Sequence, residues 1–465
     1  MAIQLKQLTV RNLYGFLDIT IKFKPSVNLL VGINGSGKTS ILNLINWLLR
    51  PSMPQLCVTK FDQVRLAFSL EGNHHEVICD QSEKELIYKL TGRRKFTPLK
   101  VSLHTSAADA SKDAELRERL LGQYRGLAPT KEEKMTWNYL NDVIPSPVVI
   151  GLDRRLFASE GDRVVYEDRM IGRALIREET SSQQNPLDRA KKFANTQYRK
   201  HRNEIIALNE RLKSKIMLSS FSSTFSLSDL SKRRASKVTA DQVEQLESKV
   251  KSYIQGNVGT PNYKMNQRIP SESRELAKVT MYFRSLKQLL KKAKHESKGS
   301  EIDILLMVNY SQFEKIRELI REFEVFEDTS RKSYADIAEY LLTLNSFLFD
   351  SAKHLLYKPD TAELTYNQLD SKGNIISHYL DLETLSSGEK QIVTLLTYLK
   401  FGQQVGRLYL IDEPELSLHP KWQSEFLNSV MKLTPEDTQL ILATHSAEIV
   451  GEFEDRCTIL LPYSK

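Results

Sequence analysis

The pattern of apolar and polar positions at the start of the chain predicts a β-hairpin, a buried strand and a helix. Apolar residues recur with strand periodicity in Ile3–Val10 and again in Ile19–Phe23, and the turn-like segment Asn12–Phe16 separates them. Val27–Val31 is a short apolar run, which a glycine-rich turn follows. Helical spacing then extends from Ser40 to Leu49. We therefore expect the order strand, glycine turn, helix near the N-terminus.

The next part of the chain is predicted to continue in strands and then to change to helices. Val64–Leu90 has the pattern of a three-stranded meander, and Pro147–Gly151 has the pattern of one more buried strand. From about residue 161 to residue 350 the spacing of apolar residues is helical. The helical stretches are Phe193–Met217, Val243–Ile254, Leu276–Leu290, Ile304–Phe326 and Tyr334–Phe349, with a serine-rich loop at Ser219–Ser231. Since a helix of about 25 residues spans only about 38 Å, a compact helical lobe or short hairpin is expected, not a long coiled-coil arm.

Strand periodicity returns near the C-terminus. Leu364–Leu369 and Ile375–Leu380 flank a turn, and Leu408–Ile411 and Leu440–Ala443 are apolar runs typical of buried parallel strands. The predicted fold class is therefore α/β, with a parallel core sheet and an antiparallel β-subdomain, divided by a mainly helical insertion. We expect domain boundaries at 1–160, 161–355 and 356–465.

Charge is unevenly distributed along the 465 residues, whose net charge is +8. Between residues 187 and 300 about 25 Lys and Arg stand against about 10 Asp and Glu. A lysine-rich helix face there includes Lys287, Lys291, Lys292 and Lys294. Such a face can be an ordinary solvated surface, or it can be a docking site for DNA or for an acidic protein. Both interpretations stay open.

Composition also excludes some classes of protein. No apolar run approaches the roughly 20 residues that span a bilayer, and the N-terminus lacks the pattern of a signal peptide. Cys57, Cys79 and Cys457 lie far apart in sequence, and no Cys/His cluster has zinc spacing. We expect a cytoplasmic protein without membrane contact, whose cysteines are small core residues.

The glycine-rich turn has the spacing G-x-x-x-x-G-K-[ST] of a phosphate-binding loop. Glycines let backbone N–H groups curl around an anion, and the following helix adds the positive end of its dipole. Lys38 is suited to the β- and γ-phosphates, and the Thr39 hydroxyl is suited to Mg²⁺. The predicted ATP-binding residues here are Gly32, Asn34, Gly35, Ser36, Gly37, Lys38, Thr39 and Ser40.

Two adjacent carboxylates follow the apolar run that ends at Ile411. Carboxylates at the C-terminal ends of parallel strands lie where open α/β sheets bind ligands. Asp412 is suited to the Mg²⁺ shell, and Glu413 is suited to accept a proton from the attacking water. Roughly 370 residues separate Lys38 from Asp412, so a long insertion divides one nucleotide-binding fold.

A serine-glycine turn precedes the apolar helix pattern Ile392–Leu399. The turn is Leu385-Ser386-Ser387-Gly388-Glu389. Such a turn could be a plain N-cap, but it also exposes the N–H donors and hydroxyl of an anion site. It resembles the Leu-Ser-Gly-Gly-Gln signature motif of ABC ATPases, from which Ser387 and Glu389 depart. The resemblance implies that Ser386, Ser387, Gly388 and Glu389 contact ATP.

Four further segments complete the set of motifs. Pro414–Pro420 resembles the D-loop region of non-transporter ABC ATPases, and His445, after the last buried strand, resembles their switch histidine, which contacts the γ-phosphate. In the loop after the first strand, Arg11 and Asn12 stand where relatives contact nucleotide. Asp153-Arg154-Arg155 stands where the family places a segment that links the two lobes, without the expected glutamine. For Arg154 and Arg155 a chemical role and a solvated basic turn are equally good interpretations.

Together the motifs resemble the ABC-type ATPases related to SMC proteins, RecF and the OLD-type ATPases of bacterial anti-phage defence. The resemblance covers about the first 50 and the last 90 residues. It implies an ABC-type head that binds ATP and Mg²⁺ and forms a homodimer, or a larger homo-oligomer, in which the signature turn of one protomer completes the site of the other. In that setting Glu413, His445 and Lys38 are the expected catalytic residues.

The expected function is that of a sensor or scaffold ATPase in anti-phage defence, controlling a separate effector. Size and layout most resemble the ATPase subunit of the PARIS system, which works beside a TOPRIM nuclease, with Septu and retron-associated ATPases next. A phage trigger protein or DNA would bind the basic lobe. The alternative is a RecF-like repair ATPase that binds duplex DNA or junctions. A transporter motor is disfavoured because of the large insertion and the absence of a membrane-coupling segment.

Overall fold

A six-stranded sheet in the computed structural model brings together the two ends of the chain. The structure describes residues 3–110, 113–151, 156–157, 185–221, 239–254, 274–293, 301–402, 408–435 and 437–461. The strands, in chain order, are β1 (Ile3–Leu13), β2 (Leu17–Lys22), β3 (Val27–Val31), β4 (Gln63–Leu70), β5 (Asn73–Gln81), β6 (Glu85–Thr91), β7 (Leu99–Ser102), β8 (Val148–Ile150), β9 (Leu156–Phe157), β10 (Lys353–Tyr357), β11 (Leu364–Leu369), β12 (Ile375–Leu380), β13 (Leu408–Asp412), β14 (Gln439–Thr444) and β15 (Cys457–Ile459).

Helices cover these sheets and fill the central part of the chain. They are α1 (Lys38–Leu49), α2 (Met53–Val58), α3 (Ala107–Ala110), α4 (Ala114–Arg125), α5 (Lys134–Asn138), α6 (Pro186–Phe221), α7 (Ala240–Ile254), α8 (Arg274–Ala293), α9 (Glu301–Leu348), α10 (Ser387–Phe401), α11 (Pro420–Leu433) and α12 (Ala447–Val450). Short 3₁₀ turns occupy Phe349–Ser351, Leu382–Thr384 and Glu454–Arg456, and one π-helical turn occupies Tyr139–Val143.

The sheet that joins the chain ends has the strand order β15-β3-β14-β13-β8-β9. All of its pairings are parallel except that between β8 and β9. Strands β13 and β14 are buried at every position, because apolar runs in a parallel sheet are covered on both faces. The parallel core sheet predicted from the apolar runs is confirmed, and it places the C-terminal ends of β3, β13 and β14 at one edge.

A second, antiparallel sheet has the order β2-β1-β4-β5-β6-β7. The predicted hairpin and three-stranded meander are both part of it. Strand β7 was not predicted, since its four residues follow a polar, basic turn and are too few to show a period. The buried amide of Gln439 joins the two sheets: it accepts from the Leu5 N–H at 2.7 Å and donates to the Leu5 and Lys24 carbonyls at 3.1 and 2.8 Å.

Chain contacts divide the protein into two units, residues 1–196 with 340–465 and residues 197–339. Within the first unit, β10, β11 and β12 form a three-stranded antiparallel sheet, which includes the predicted strands Leu364–Leu369 and Ile375–Leu380. The mixed α/β fold class is confirmed. The predicted domain boundaries stay a prediction, and the division from contacts falls inside α6 and α9.

The described part of the second unit is helical, but its helices are longer than the sequence indicated. Helix α6 has 36 residues and α9 has 48, which at 1.5 Å per residue is about 72 Å for α9. The prediction of helices no longer than about 25 residues is therefore wrong, because the two stretches Ile304–Phe326 and Tyr334–Phe349 form one continuous helix. Between them the polar residues Glu327–Ser333 break the apolar period without breaking the helix.

The lysine-rich face of α8 is also partly used within this unit. Lys287 Nζ lies 2.9 Å from a carboxylate oxygen of Glu247 on α7, and the hydrogen bond that the lysine donates to Glu247 raises the pKa of this lysine. Lys287 is therefore not free to serve the docking face that the sequence indicated. Lys291 is exposed, whereas the side chains of Lys292 and Lys294 lie outside the described residues.

Candidate active site

The glycine turn between β3 and α1 has the backbone that a phosphate-binding loop requires. Gly35 and Gly37 adopt positive φ values of 82° and 92°, which are strained for residues with a Cβ. Helix α1 begins directly after Gly37, so its unpaired N–H groups open toward the loop. Asn34 and Thr39 are exposed, and Ser36 is buried.

The ammonium of Lys38 is held at the mouth of this loop. Its Nζ donates to the carbonyl oxygens of Gly32 at 2.8 Å and Ile33 at 3.1 Å, and the residue is 4% exposed. A buried cation whose described hydrogen bonds go to neutral carbonyls is stabilised when an anion binds beside it, because the anion compensates its charge. This arrangement is suited to binding a phosphate group.

Asp412 ends strand β13 and contacts the start of α1. Burial raises the pKa of its carboxyl against the opposing effects of the nearby Thr39 hydroxyl and of the Lys38 charge. Within the described part of the chain, Asp412 Oδ1 is buried without a hydrogen-bond partner. A hydroxyl beside a carboxylate with an unpaired oxygen is a donor set that fits Mg²⁺.

Glu413 follows in a strained turn. Its φ is 47°, in the left-handed region that residues with a Cβ rarely adopt, and its N–H donates to the Ala443 carbonyl at 2.8 Å. The side chain is half-buried. Strained backbone of this kind is typical of functional sites, where the surrounding structure holds it in place.

His445 follows strand β14, and a carboxylate that the sequence analysis did not single out holds it there. Glu415 Oε1 lies 3.0 Å from His445 Nδ1, and it accepts from the His445 N–H at 2.8 Å and from the Thr444 hydroxyl at 2.8 Å. The Glu415 side chain is 4% exposed and that of His445 is 44% exposed. The sequence analysis included Glu415 only as a member of the D-loop segment Pro414–Pro420 and gave it no role of its own.

The Ser-Ser-Gly turn begins helix α10 with a capping box. The Ser386 hydroxyl accepts from the Glu389 N–H, and the Glu389 carboxylate accepts from the Ser386 N–H at 2.8 Å. Lys353 donates to both oxygens of Glu389 at 2.9 and 2.7 Å. Burial favours the neutral acid, but the bonds from Lys353, Ser386 and Ser351 outweigh it and lower the pKa of Glu389. Glu389 thus supports the turn from inside, and its contact with ATP stays a prediction.

The same turn packs against the segment between β13 and α11. A Cβ at Gly388 would lie 2.5 Å from the Ser417 carbonyl oxygen, so only glycine fits there. Ser386 and Ser387 are exposed. Among the described residues, no hydrogen bond or ion pair joins turn 386–389 to loop 32–40 of the same chain.

The loop after β1 lies beside the start of α1. The Tyr14 hydroxyl donates to Ser40 Oγ at 3.1 Å. Asn12 donates from its backbone to Asp18 at 2.7 Å and from its amide to Asp62 at 3.0 Å. Arg11 and Asn12 themselves lie at the end of β1 and not in the loop. The bonds of Asn12 hold the start of the loop, and the nucleotide contacts of Arg11 and Asn12 stay predictions. Arg154 and Arg155 lie outside the described residues.

The described ranges contain neither a candidate membrane span nor a cluster of metal-binding side chains. No helix there is long and apolar enough to cross a membrane. A group of three or more His, Cys, Asp or Glu side chains able to bind a metal is likewise missing from those ranges.

A family model matches almost the whole chain, and two curated relatives match parts of it. The family described as "AAA ATPase domain" matches residues 3–450. The energy-coupling factor transporter ATP-binding protein EcfA2 of Mycoplasmoides gallisepticum is 26% identical over 169 residues, 34% of this chain and 48% of that protein. The UvrABC system protein A of Clostridium perfringens is 30% identical over 132 residues, 28% of this chain and 13% of that protein. The chain thus spans about half of the first relative and about an eighth of the second.

Among solved structures, the Smc head domain of Pyrococcus furiosus, crystallised with the C-terminal domain of ScpA, aligns with 96% of this chain. The alignment covers 91% of that chain, with a TM-score of 0.34 and 13% identity.

Proposed function

We propose that this chain, which belongs to the AAA ATPase domain family, hydrolyses ATP at a site shared between two copies of itself and uses that cycle to control a separate effector. The family membership establishes an ATPase. The shared site, the effector and the biological setting are the parts proposed.

One observation supports hydrolysis at this site most directly. The interaction of the Asp412 carboxyl with the Thr39 hydroxyl brings the end of β13 to the phosphate-binding loop, although about 370 residues separate the two motifs. Because β13 ends there, Glu413 follows the proposed Mg²⁺ ligand at the same sheet edge. A phosphate-binding loop, a hydroxyl–carboxylate pair and a second carboxylate at one place are typical of a site that hydrolyses a nucleotide.

The proposed chemistry uses these groups in order. Lys38 and the N–H groups of loop 32–39 bind the phosphates, and Thr39 and Asp412 would hold Mg²⁺, which supplies charge neutralisation on the β- and γ-phosphates. Glu413 accepts a proton as the water oxygen bonds to the γ-phosphorus, and the bond from that phosphorus to the bridging oxygen breaks. ADP and inorganic phosphate leave.

The proposal of a shared site rests on the turn at the start of α10. The two serines of this turn are exposed, and the N-terminus of the helix favours an anion. None of the described hydrogen bonds of the turn goes to the phosphate-binding loop of the same chain. A two-fold pairing of identical chains would place each turn over the partner's phosphates.

The proposed setting is anti-phage defence, with a nuclease such as a TOPRIM protein as the effector. Its support is the resemblance of the motifs to the defence ATPases described above. A RecF-like role on duplex DNA has less support, because Lys287 of the basic segment is paired with Glu247 and so contributes less to a DNA-binding face.

Two variants test the proposed chemistry. Lys38→Ala should abolish ATP binding, since it removes the cation from the loop.

Glu413→Gln should bind ATP but stop turnover and accumulate an ATP-bound dimer, because an amide cannot accept the proton of the water. Calorimetry, phosphate release and size-exclusion chromatography with ATP measure these outcomes, and Glu452→Gln, an exposed acid-to-amide change, serves as the matched control. Multi-turnover hydrolysis by Glu413→Gln near the wild-type rate would contradict the assigned base.

A further inference from the structure

Glu415 is a buried acid with no role in the chemistry described so far. It lies in the segment between β13 and α11. One of its oxygens, Oε1, accepts from the Thr444 hydroxyl and the His445 N–H and lies 3.0 Å from His445 Nδ1. Among the residues described, its other oxygen, Oε2, is buried without a hydrogen-bond partner. A buried carboxylate that is only partly compensated costs free energy of folding, so its presence calls for a reason other than stability.

The proximity of Glu415 to His445 favours hydrogen on the nearer ring nitrogen. A lone pair on Nδ1 would face the lone pairs of the carboxylate oxygen at 3.0 Å, so hydrogen on Nδ1 is preferred. Nε2 is then the nitrogen that is available to the reaction: in the neutral ring it can accept from a water, and it can donate to a phosphate oxygen only when both ring nitrogens carry hydrogen. The His445 N–H donates to the same oxygen, so Glu415 also fixes the position of the His445 main chain, from which the imidazole ring extends.

The main chain of Glu415 is itself well anchored. Its carbonyl accepts from the Leu418 N–H at 3.0 Å and from the amide of Gln423 at 3.4 Å, and Gln423 also donates to the Leu418 carbonyl at 2.9 Å. The Gln423 amide oxygen in turn accepts from the Ser446 hydroxyl at 2.6 Å. The carboxylate is therefore held in register with the residues on both sides of the histidine.

We propose that Glu415 is a positioning residue for hydrolysis: it fixes the tautomer and orientation of His445 and provides the negative charge opposite the ring. This inference rests on the proposed hydrolysis at the same site. A histidine that is 44% exposed would otherwise sample several rotamers and both tautomers, and only some of these could contact the γ-phosphate.

The test is a double-mutant cycle with Glu415→Gln and His445→Ala. The amide oxygen of Gln can still accept from the Thr444 hydroxyl and the His445 N–H, so the fold should persist while the charge is lost. We expect Glu415→Gln to lower kcat by about 10- to 100-fold with little change in the KM for ATP. In the His445→Ala background the same substitution should change kcat by less than about twofold, because the two residues act as one unit.

Several outcomes would overturn this inference. A Glu415→Gln enzyme with wild-type kcat would do so, and so would an equal loss of kcat in the presence and absence of His445. A loss of kcat that merely follows a lowered Tm would indicate a structural role, and Glu452→Gln controls for the general effect of an acid-to-amide change. If the wild-type chain does not hydrolyse ATP, or if Lys38→Ala still hydrolyses it, the proposed function itself is wrong. These two measurements are separate from the double-mutant cycle, so failure of the proposed function can be told apart from failure of the positioning role.

Discussion

At the scale of single residues, the site is built from polar groups whose burial is unfavourable for folding. Asp412 and Glu415 each have one buried oxygen without a partner among the described residues. The sequence predicted Asp412, because a carboxylate at the end of an apolar strand has a recognisable position. It could not predict the contact of Glu415 with His445, since that contact depends on positive φ values at Glu413 and Ser417, which no local pattern indicates.

Replacing Asp412 should therefore increase stability and abolish activity. Burial raises the pKa of the Asp412 carboxyl, so the folded protein binds this proton more tightly than the unfolded chain. Stability from this group is thus greatest at low pH and decreases as pH rises from the usual carboxyl pKa through the raised one. Without nucleotide and with a chelator, Asp412→Asn should raise Tm by about 2 °C or more at pH 8 and by less near pH 4, while ATP hydrolysis is lost. Calorimetric scans at both pH values measure this, and a lower Tm at pH 8 would show that the carboxylate stabilises the fold.

At the scale of elements, local patterns predicted where elements begin but not what supports them. The capping box at Ser386 and Glu389 is a sequence pattern of helix starts, and helix α10 begins there. The partner that compensates the Glu389 charge, Lys353, lies on β10, 36 residues away, and no periodicity could reveal that pairing. Helix α9 is similar, since its length depends on tertiary packing that carries it through a polar stretch.

The Lys353–Glu389 pair should control the shape of the turn. Their side chains are 17% and 4% exposed, so Lys353→Met leaves a buried charge without its partner and should lower the free energy of unfolding by about 2 kcal/mol. ATP hydrolysis should decrease, while the ATP affinity of the phosphate-binding loop should stay within a few-fold of wild type. Denaturant titration and ATP-binding measurements check both effects.

A second substitution provides the control for that pair. Glu389→Gln removes the charge but retains an acceptor for the Ser386 N–H, so the double variant Lys353→Met/Glu389→Gln should be more stable than Lys353→Met alone. If the two substitutions are simply additive, the ion pair does not support the turn.

At the scale of the whole molecule, the motifs alone predicted that the two ends of the chain form one α/β unit. That prediction holds because β3 from the N-terminal part pairs with β14 and β15 from the C-terminal part. The central residues were predicted only in outline, since helical spacing gives neither helix length nor the pairing of Lys287 with Glu247. The turn at Ser386 and Ser387 is exposed in the single chain, and the proposed shared site requires that it contact the nucleotide of a second copy.

Mixing two inactive variants tests whether a second copy completes the site. Lys38→Ala removes the phosphate-binding cation, and Ser387→Arg places a bulky cation on the exposed turn while it spares the cap that Ser386 provides. In a mixed dimer, one site combines the intact loop of one chain with the intact turn of the other. At equal amounts half of the dimers are mixed and one of their two sites is intact, so ATP hydrolysis should recover to about a quarter of the wild-type rate. Mixing Lys38→Ala with the double variant Lys38→Ala/Ser387→Arg is the control, because no combination contains an intact site. If the first mixture stays as inactive as the control while both variants still dimerise, each chain must complete its own site.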